Sequence, residues 1–150
     1  MDKISVAEAR QPAAVGRQVE LDGWVRTRRD SKAGFSFIEL NDGSSFGNIQ
    51  IIAANTLPNY EGEIKHLSAG SSVRVMGEVK ASPAQGQPTE VHAQNITIYG
   101  GADPETYPLQ KKRHSFEFLR TLAHLRPRTN TFGAVARVRN SVSRSIHEFF

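Results

Sequence analysis

The chain contains no cysteine, which excludes a disulfide framework and every thiolate metal site. No apolar run is long enough to cross a bilayer, and the opening Met1-Asp2-Lys3-Ile4-Ser5-Val6 lacks the apolar core of a secretory signal. A cytoplasmic protein with no membrane partner is the expectation. The five histidines, His66, His92, His114, His124 and His147, follow no metal-ligand spacing and have no evident carboxylate arrangement around them. They are read as surface residues, and no metal site is expected. Gly16, Gly34, Gly43, Gly47 and Gly86 follow no phosphate-loop pattern and are read as turn residues. No Ser-His-Asp constellation is arguable either, so no catalytic residue is expected in this chain.

An excess of one charge is also missing where it would matter most. The net charge is +4, yet residues 1–100 hold 10 Lys and Arg against 11 Asp and Glu, while residues 101–150 hold 9 against 4. Any nucleic-acid face in the first part must therefore be a local patch. With 38% hydrophobic and 23% charged residues over 150 positions, the composition suits one ordinary domain with an appendage.

Five strand-like segments lie in the first hundred residues, over roughly 17–28, 34–41, 46–53, 72–80 and 89–99, separated by Gly, Asn, Asp, Ser and Pro clusters. Strict alternation puts Val19, Leu21, Gly23 and Val25 on one face of the first strand and Trp24, Arg26 and Arg28 on the other. In the second, Ile38 and Leu40 face the core and Phe35, Phe37 and Glu39 face outward. In the third, Asn48, Gln50 and Ile52 alternate with Ile49, Ile51 and Ala53. Val91 and Ala93 have one parity and Ile96 and Ile98 the other, so a β-bulge near residues 93–95 is expected to keep both pairs inward.

Between the third and fourth strands, Leu57, Tyr60, Ile64 and Leu67 recur at helical spacing. Five strands with a helix after the third predict an OB-fold, a small Greek-key barrel that binds oligonucleotides or oligosaccharides across one strand surface. Gly100 to Pro108 reads as a linker. Ser115 then caps a short helix carrying Phe116, Leu119, Leu122 and Leu125, and Thr129, Asn130 or Thr131 opens a long one with Phe132, Val135, Val138, Val142, Ile146 and Phe149 along one stripe. That helix has no stop signal, so residues 109–150 are read as the start of something larger.

Exposed phenyl rings beside arginines suit flat, anionic, stackable partners, and unpaired nucleic-acid bases fit that description. Trp24 is instead read as packing under a loop or helix, and Phe35 either covers the barrel edge or flanks a stacked base. Arg26, Arg28, Arg29 and Lys32 form either a solvated cluster with Asp30 or a set of phosphate contacts, and the second reading is preferred.

Gly23-Trp24-Val25-Arg26-Thr27-Arg28-Arg29-Asp30, Phe37-Ile38-Glu39-Leu40-Asn41-Asp42-Gly43 and Ile49-Gln50-Ile51 resemble the N-terminal anticodon-binding domain of class IIb aminoacyl-tRNA synthetases, nearest to the asparaginyl branch. His124-Leu125-Arg126-Pro127-Arg128-Thr129 and the helix beyond resemble the hinge and the start of motif 1. The resemblance implies an OB-fold anticodon-binding domain over 1–100, a linker or hinge over 101–114, and a helical hinge with the truncated start of a catalytic domain over 115–150. It implies Phe37 stacked on the middle anticodon base, a uridine, with Gln50 and Arg29 as polar contacts and Glu90 lining the first base. Arg26, Arg28 and Phe35 complete the expected RNA-binding set. The implied partner is the anticodon loop of tRNA(Asn), in a homodimeric enzyme that joins asparagine to tRNA using ATP and Mg2+. Motif 1 normally closes with a proline that the chain does not reach, and motifs 2 and 3 are absent, so this portion is expected to bind no cofactor and to be inactive alone. The rivals are a free-standing single-strand-binding OB protein and the aspartyl or lysyl branch.

Overall fold

Alternating apolar residues build five strands that close on one another, and a sixth, short and charged, joins their edge. In the computed structural model, which describes residues 1–150, these are β1 (Asp2–Lys3), β2 (Gln18–Ser31), β3 (Phe35–Asn41), β4 (Ile49–Ala54), β5 (Ser72–Ala81) and β6 (Thr89–Gly100). Their order is β1-β2-β3-β4-β6-β5, and an added β2–β5 pairing closes the barrel. β4 and β6 run parallel, whereas β2–β3, β3–β4, β5–β6 and β2–β5 are antiparallel. This is the five-stranded OB barrel expected from the strand pattern, with β1 added at its edge.

The inward parity forms the core. Val19, Leu21, Val25, Ile38, Leu40, Ile49, Ile51, Val73, Val75, Val79, Val91 and Ile96 are all buried. The expected bulge in β6 is present: Met76 pairs with Asn95 and Gly77 with Ala93, so Gln94 is the extra residue. Val91 and Ile96 are thereby both buried, with Ala93 and Ile98 packed against the same core. Gly77 is required there, since a Cβ would collide with the backbone carbonyl of His92.

Two elements differ from the sequence reading. The segment between β4 and β5 holds turns and a single 3-10 turn, Ile64–His66, rather than an α-helix. Leu57, Tyr60, Ile64 and Leu67 are nonetheless all buried, so helical spacing identified the core side and not the local geometry. At the start, α1 (Val6–Ala9) was not anticipated. Ser5 and Glu8 form a reciprocal capping box, and the amides of Val6 and Ala7 donate to Asp42 Oδ2 and Ser44 Oγ at 2.9 Å each. α1 thus seals the barrel with Val6 and Ala9, both fully buried.

The chain divides into two compact units, Met1–Gln110 and Lys111–Phe150. The first ten residues of the expected linker belong to the first unit: Ala102 donates its amide to Ser71 Oγ at 3.2 Å, and the Tyr107 ring lies against Gly70. The second unit contains α2 (Phe116–Thr121), a 3-10 turn at Arg126–Arg128 and α3 (Asn130–Phe149). Ser115 caps α2, its hydroxyl accepting from the Phe118 amide at 3.2 Å, as its position predicts. Within this unit Phe116 meets Phe132 edge-to-face at 6.1 Å. Val135, Val138, Val142, Ile146 and Phe149 form an exposed stripe on α3.

Candidate nucleic-acid interface

A bulge in β2 decides which arginine reaches the outer face. Val25 pairs with Leu40 and Thr27 with Glu39, leaving Arg26 as the extra residue and reversing the alternation that follows. Arg29 consequently opposes Phe37, while Arg28 opposes the buried Ile38. Strict alternation had placed Arg28 outward with Arg26; the bulge overturns that placement. Arg28 Nε donates to the Leu67 carbonyl at 3.1 Å, and its Nη1 reaches Asp30 and Ser36. The Ser36 hydroxyl donates to Asp30 Oδ1 at 2.6 Å and lies 2.9 Å from the Tyr60 hydroxyl. Asp30 is held below the ordinary aspartate range, first by the Ser36 hydroxyl and then by Arg28. Arg28 therefore fastens the β2–β3 arm to the segment beneath it.

On the outer face, directly opposed residues form two rows across the sheet. The first runs Arg29–Phe37–Ile52–His92, and the second Thr27–Glu39–Gln50–Glu90–Lys80. Phe37 is half-buried and stands outside the core. The Arg29 guanidinium lies 4.5 Å from its ring centroid, and Phe35 meets it edge-on at 5.0 Å. Phe35, also half-buried, thus supports the ring that projects from the sheet. Trp24 packs as expected under the β3–β4 loop, where a Cβ at Gly43 would touch its ring at 3.6 Å.

In the second row, Gln50 Nε2 donates to Glu90 Oε2 at 3.3 Å. Glu90 is only 6% exposed, and its carboxylate is held by two further groups. Ser82 Oγ donates to Oε2 at 3.2 Å, and His92 Nε2 lies 2.9 Å from Oε1. Gln87 Nε2 in turn donates to Ser82 Oγ at 2.8 Å. His92 was read from sequence as a histidine with no carboxylate near it, and the structure corrects that. Its signal was spacing, since residues 90 and 92 on one strand share a face. Ser82 and Gln87 had no such signal, because a loop has no parity.

The face combines one projecting ring, an exposed cation at its rim and a buried carboxylate paired with a half-buried amide. It can stack a planar base and offer both hydrogen-bond donors and acceptors beside it. No group of three or more His, Asp and Glu side chains is placed to hold a metal ion. No helix is long and apolar enough to cross a membrane.

The family model for the OB-fold nucleic acid binding domain matches residues 19–99, more than half of the chain, and the chain belongs to that family. Among the relatives that the chain resembles are asparagine–tRNA ligases. An asparagine–tRNA ligase from Rhodopirellula baltica is 58% identical over 150 residues, covering 100% of this chain and 31% of that protein. One from Syntrophobacter fumaroxidans is 57% identical over 136 residues, covering 91% of the chain and 29% of its own length. The chain thus spans about a third of the curated relatives it matches. Among solved structures, the asparaginyl-tRNA synthetase from Pyrococcus horikoshii, complexed with asparaginyl-adenylate, matches with TM-score 0.84 and 27% identity, over 99% of this chain and 34% of that one.

Proposed function

We propose that this chain is the anticodon-reading portion of an asparagine–tRNA ligase, binding the anticodon loop of tRNA(Asn) on the outer face of its barrel. The observation that carries the reading is Phe37, a phenyl ring standing off the sheet with Gln50 and Glu90 in the next row. A free-standing single-strand binder is the weaker reading, since asparagine–tRNA ligases resemble the chain beyond the barrel, over 91 to 100% of its length. The same relatives favour the asparaginyl over the aspartyl or lysyl branch.

The chemistry follows from the geometry. Phe37 supplies affinity, because stacking a base on an aromatic ring contributes about 1 to 3 kcal/mol whatever the base. Gln50 supplies choice once its amide is held in one orientation: it then matches the mixed donor–acceptor edge of uracil, and a base with the opposite pattern leaves polar groups unmatched at roughly 1 to 3 kcal/mol. Arg29 leaves the ring face to meet phosphate or the base edge, and Arg26, at the bulge, lies near enough in sequence to join it at the backbone. Glu90 lines the pocket for the first base. Stacking and amide contacts act at different atoms of the same nucleotide, so affinity and selectivity separate.

The whole ligase would join asparagine to its tRNA through an adenylate, with ATP and Mg2+ held by parts of the enzyme outside this chain. Its homodimer would draw on the apolar stripe of α3. No step of the ligation is assigned to residues 1–150.

The test is a titration of the intact chain with anticodon stem-loops in which each anticodon base is varied in turn. Binding should be selective for uracil at the middle position. Equal affinity for every middle base would contradict the reading and favour a generic single-strand binder.

A further inference from the structure

We propose that Glu90 is a positioning residue for Gln50, so that selection of the middle base depends on a carboxylate that does not touch it. The inference rests on the anticodon reading above and assigns Glu90 a task beyond lining the first base. Gln50 and Glu90 oppose each other directly in the parallel β4–β6 pair, with Gln50 Nε2 3.3 Å from Glu90 Oε2. An amide presents a donor at one end and an acceptor at the other, whereas an ionised carboxylate only accepts. Only the –NH2 end of Gln50 can therefore face Glu90. The flipped amide would set oxygen against oxygen, losing a charge-assisted hydrogen bond and gaining a repulsion.

Glu90 cannot turn away to relax that constraint. It is buried, and its two oxygens are held from separate elements: Oε2 by Ser82 in the β5–β6 loop at 3.2 Å, and Oε1 by His92 on β6 at 2.9 Å. Ser82 is itself fixed, its hydroxyl accepting from the Gln87 side chain at 2.8 Å and the Ala84 amide at 3.2 Å. On the opposite flank of Gln50, Glu39 has its carboxylate engaged by Asn48 Nδ2 at 3.3 Å. The carboxylate that orients Gln50 is thus the one on β6.

The consequence is directional. With its –NH2 committed to Glu90, Gln50 offers its carbonyl oxygen to the ligand. Uracil carries a proton on N3 and can donate to that oxygen; cytosine has a bare acceptor at N3 and meets it with like polarity. Glu90 in this way converts an amide of ambiguous preference into a uracil reader.

The experiment measures the ratio of affinities for two anticodon stem-loops that differ only in a uracil or cytosine at the middle position. Glu90→Gln places an amide at 90 that accepts either orientation of Gln50, so the ratio should fall about tenfold or more. Loss of the first-base contact lowers both affinities together and leaves the ratio unmoved, which separates positioning from a merely structural role. In a Gln50→Ala background the same substitution should leave the ratio where Gln50→Ala alone puts it. If circular dichroism shows that Glu90→Gln does not fold, Glu90→Asp keeps the charge but withdraws it by one methylene, and the same fall is expected. A folded variant that retains the parent's ratio overturns the inference while the anticodon reading stands. A parent chain with no preference between the two loops overturns that reading and this inference with it.

Discussion

Arg28 and Arg29 are adjacent in sequence and lie on opposite faces of β2, and one residue of bulge decides that Arg29 is the one facing outward. Arg28 is tied to Leu67, Asp30 and Ser36, so Arg28→Ala is expected to lower stability by about 1 to 3 kcal/mol in a denaturant titration. Arg29 is exposed over the Phe37 ring, so Arg29→Ala should leave the melting curve nearly unchanged and weaken stem-loop binding by about 1 kcal/mol. Phe37→Ala should weaken binding by about 1 to 3 kcal/mol with the barrel intact, read by the same pair of assays. Phe37 and Gln50 were legible in the sequence because β3 and β4 keep strict alternation up to the site. Arg28 was misplaced because a single extra residue inverts every side chain beyond it, and nothing in Val25-Arg26-Thr27 advertises the bulge. His92 was missed because its partner, Glu90, becomes a neighbour only once both are recognised as one face of the same strand.

Asp22 of β2 ties its strand to three others. Arg74 of β5 binds it with two nitrogens at 2.9 and 3.2 Å, Lys3 of β1 lies at 2.6 Å, and the Tyr99 hydroxyl of β6 donates to it at 3.2 Å. Hydrogen bonding from Arg74 is the chief reason that the Asp22 carboxyl sits far below the ordinary aspartate range. A depressed folded-state pKa contributes stability that is complete above the unfolded aspartate value and is lost as pH falls through the folded one. Asp22→Asn should therefore cost about 1 kcal/mol near neutral pH, discounted for its partial exposure, and the gap between variant and parent should close in strong acid. A pH series of urea titrations checks both. The β6 bulge offers a second test at this scale, since Gly77→Ala drives a Cβ into the His92 carbonyl and should destabilise by about 1 to 3 kcal/mol or more. That bulge was legible because Val91 and Ile96 have opposite parity and both are apolar. The 3-10 turn at Ile64–His66 was not, because apolar spacing reports which side is buried and is shared by irregular segments that wrap a core. α1 does carry a sequence signal, the Ser5 to Glu8 capping box.

For the whole molecule, charge and recognition separate. The first hundred residues are nearly neutral, and the excess of cations lies in residues 101–150. Phosphate contacts made by arginines and lysines release counterions and carry no sequence information, whereas in the proposed reading the Phe37–Gln50–Glu90 face would discriminate without net positive charge. Raising the salt concentration should therefore weaken binding of every stem-loop alike and leave the ratio between uracil and cytosine loops unchanged. Two titration series at different ionic strengths decide this. The claim on which the rest depends is that a nucleobase lies flat on the ring of Phe37, and nuclear magnetic resonance of that ring measures it most directly. Adding a stem-loop with a middle uracil should move the Phe37 ring protons upfield as a base settles over them, while those of the buried Tyr60 stay in place. A stem-loop that binds with full affinity and leaves the Phe37 ring unshifted would contradict the account.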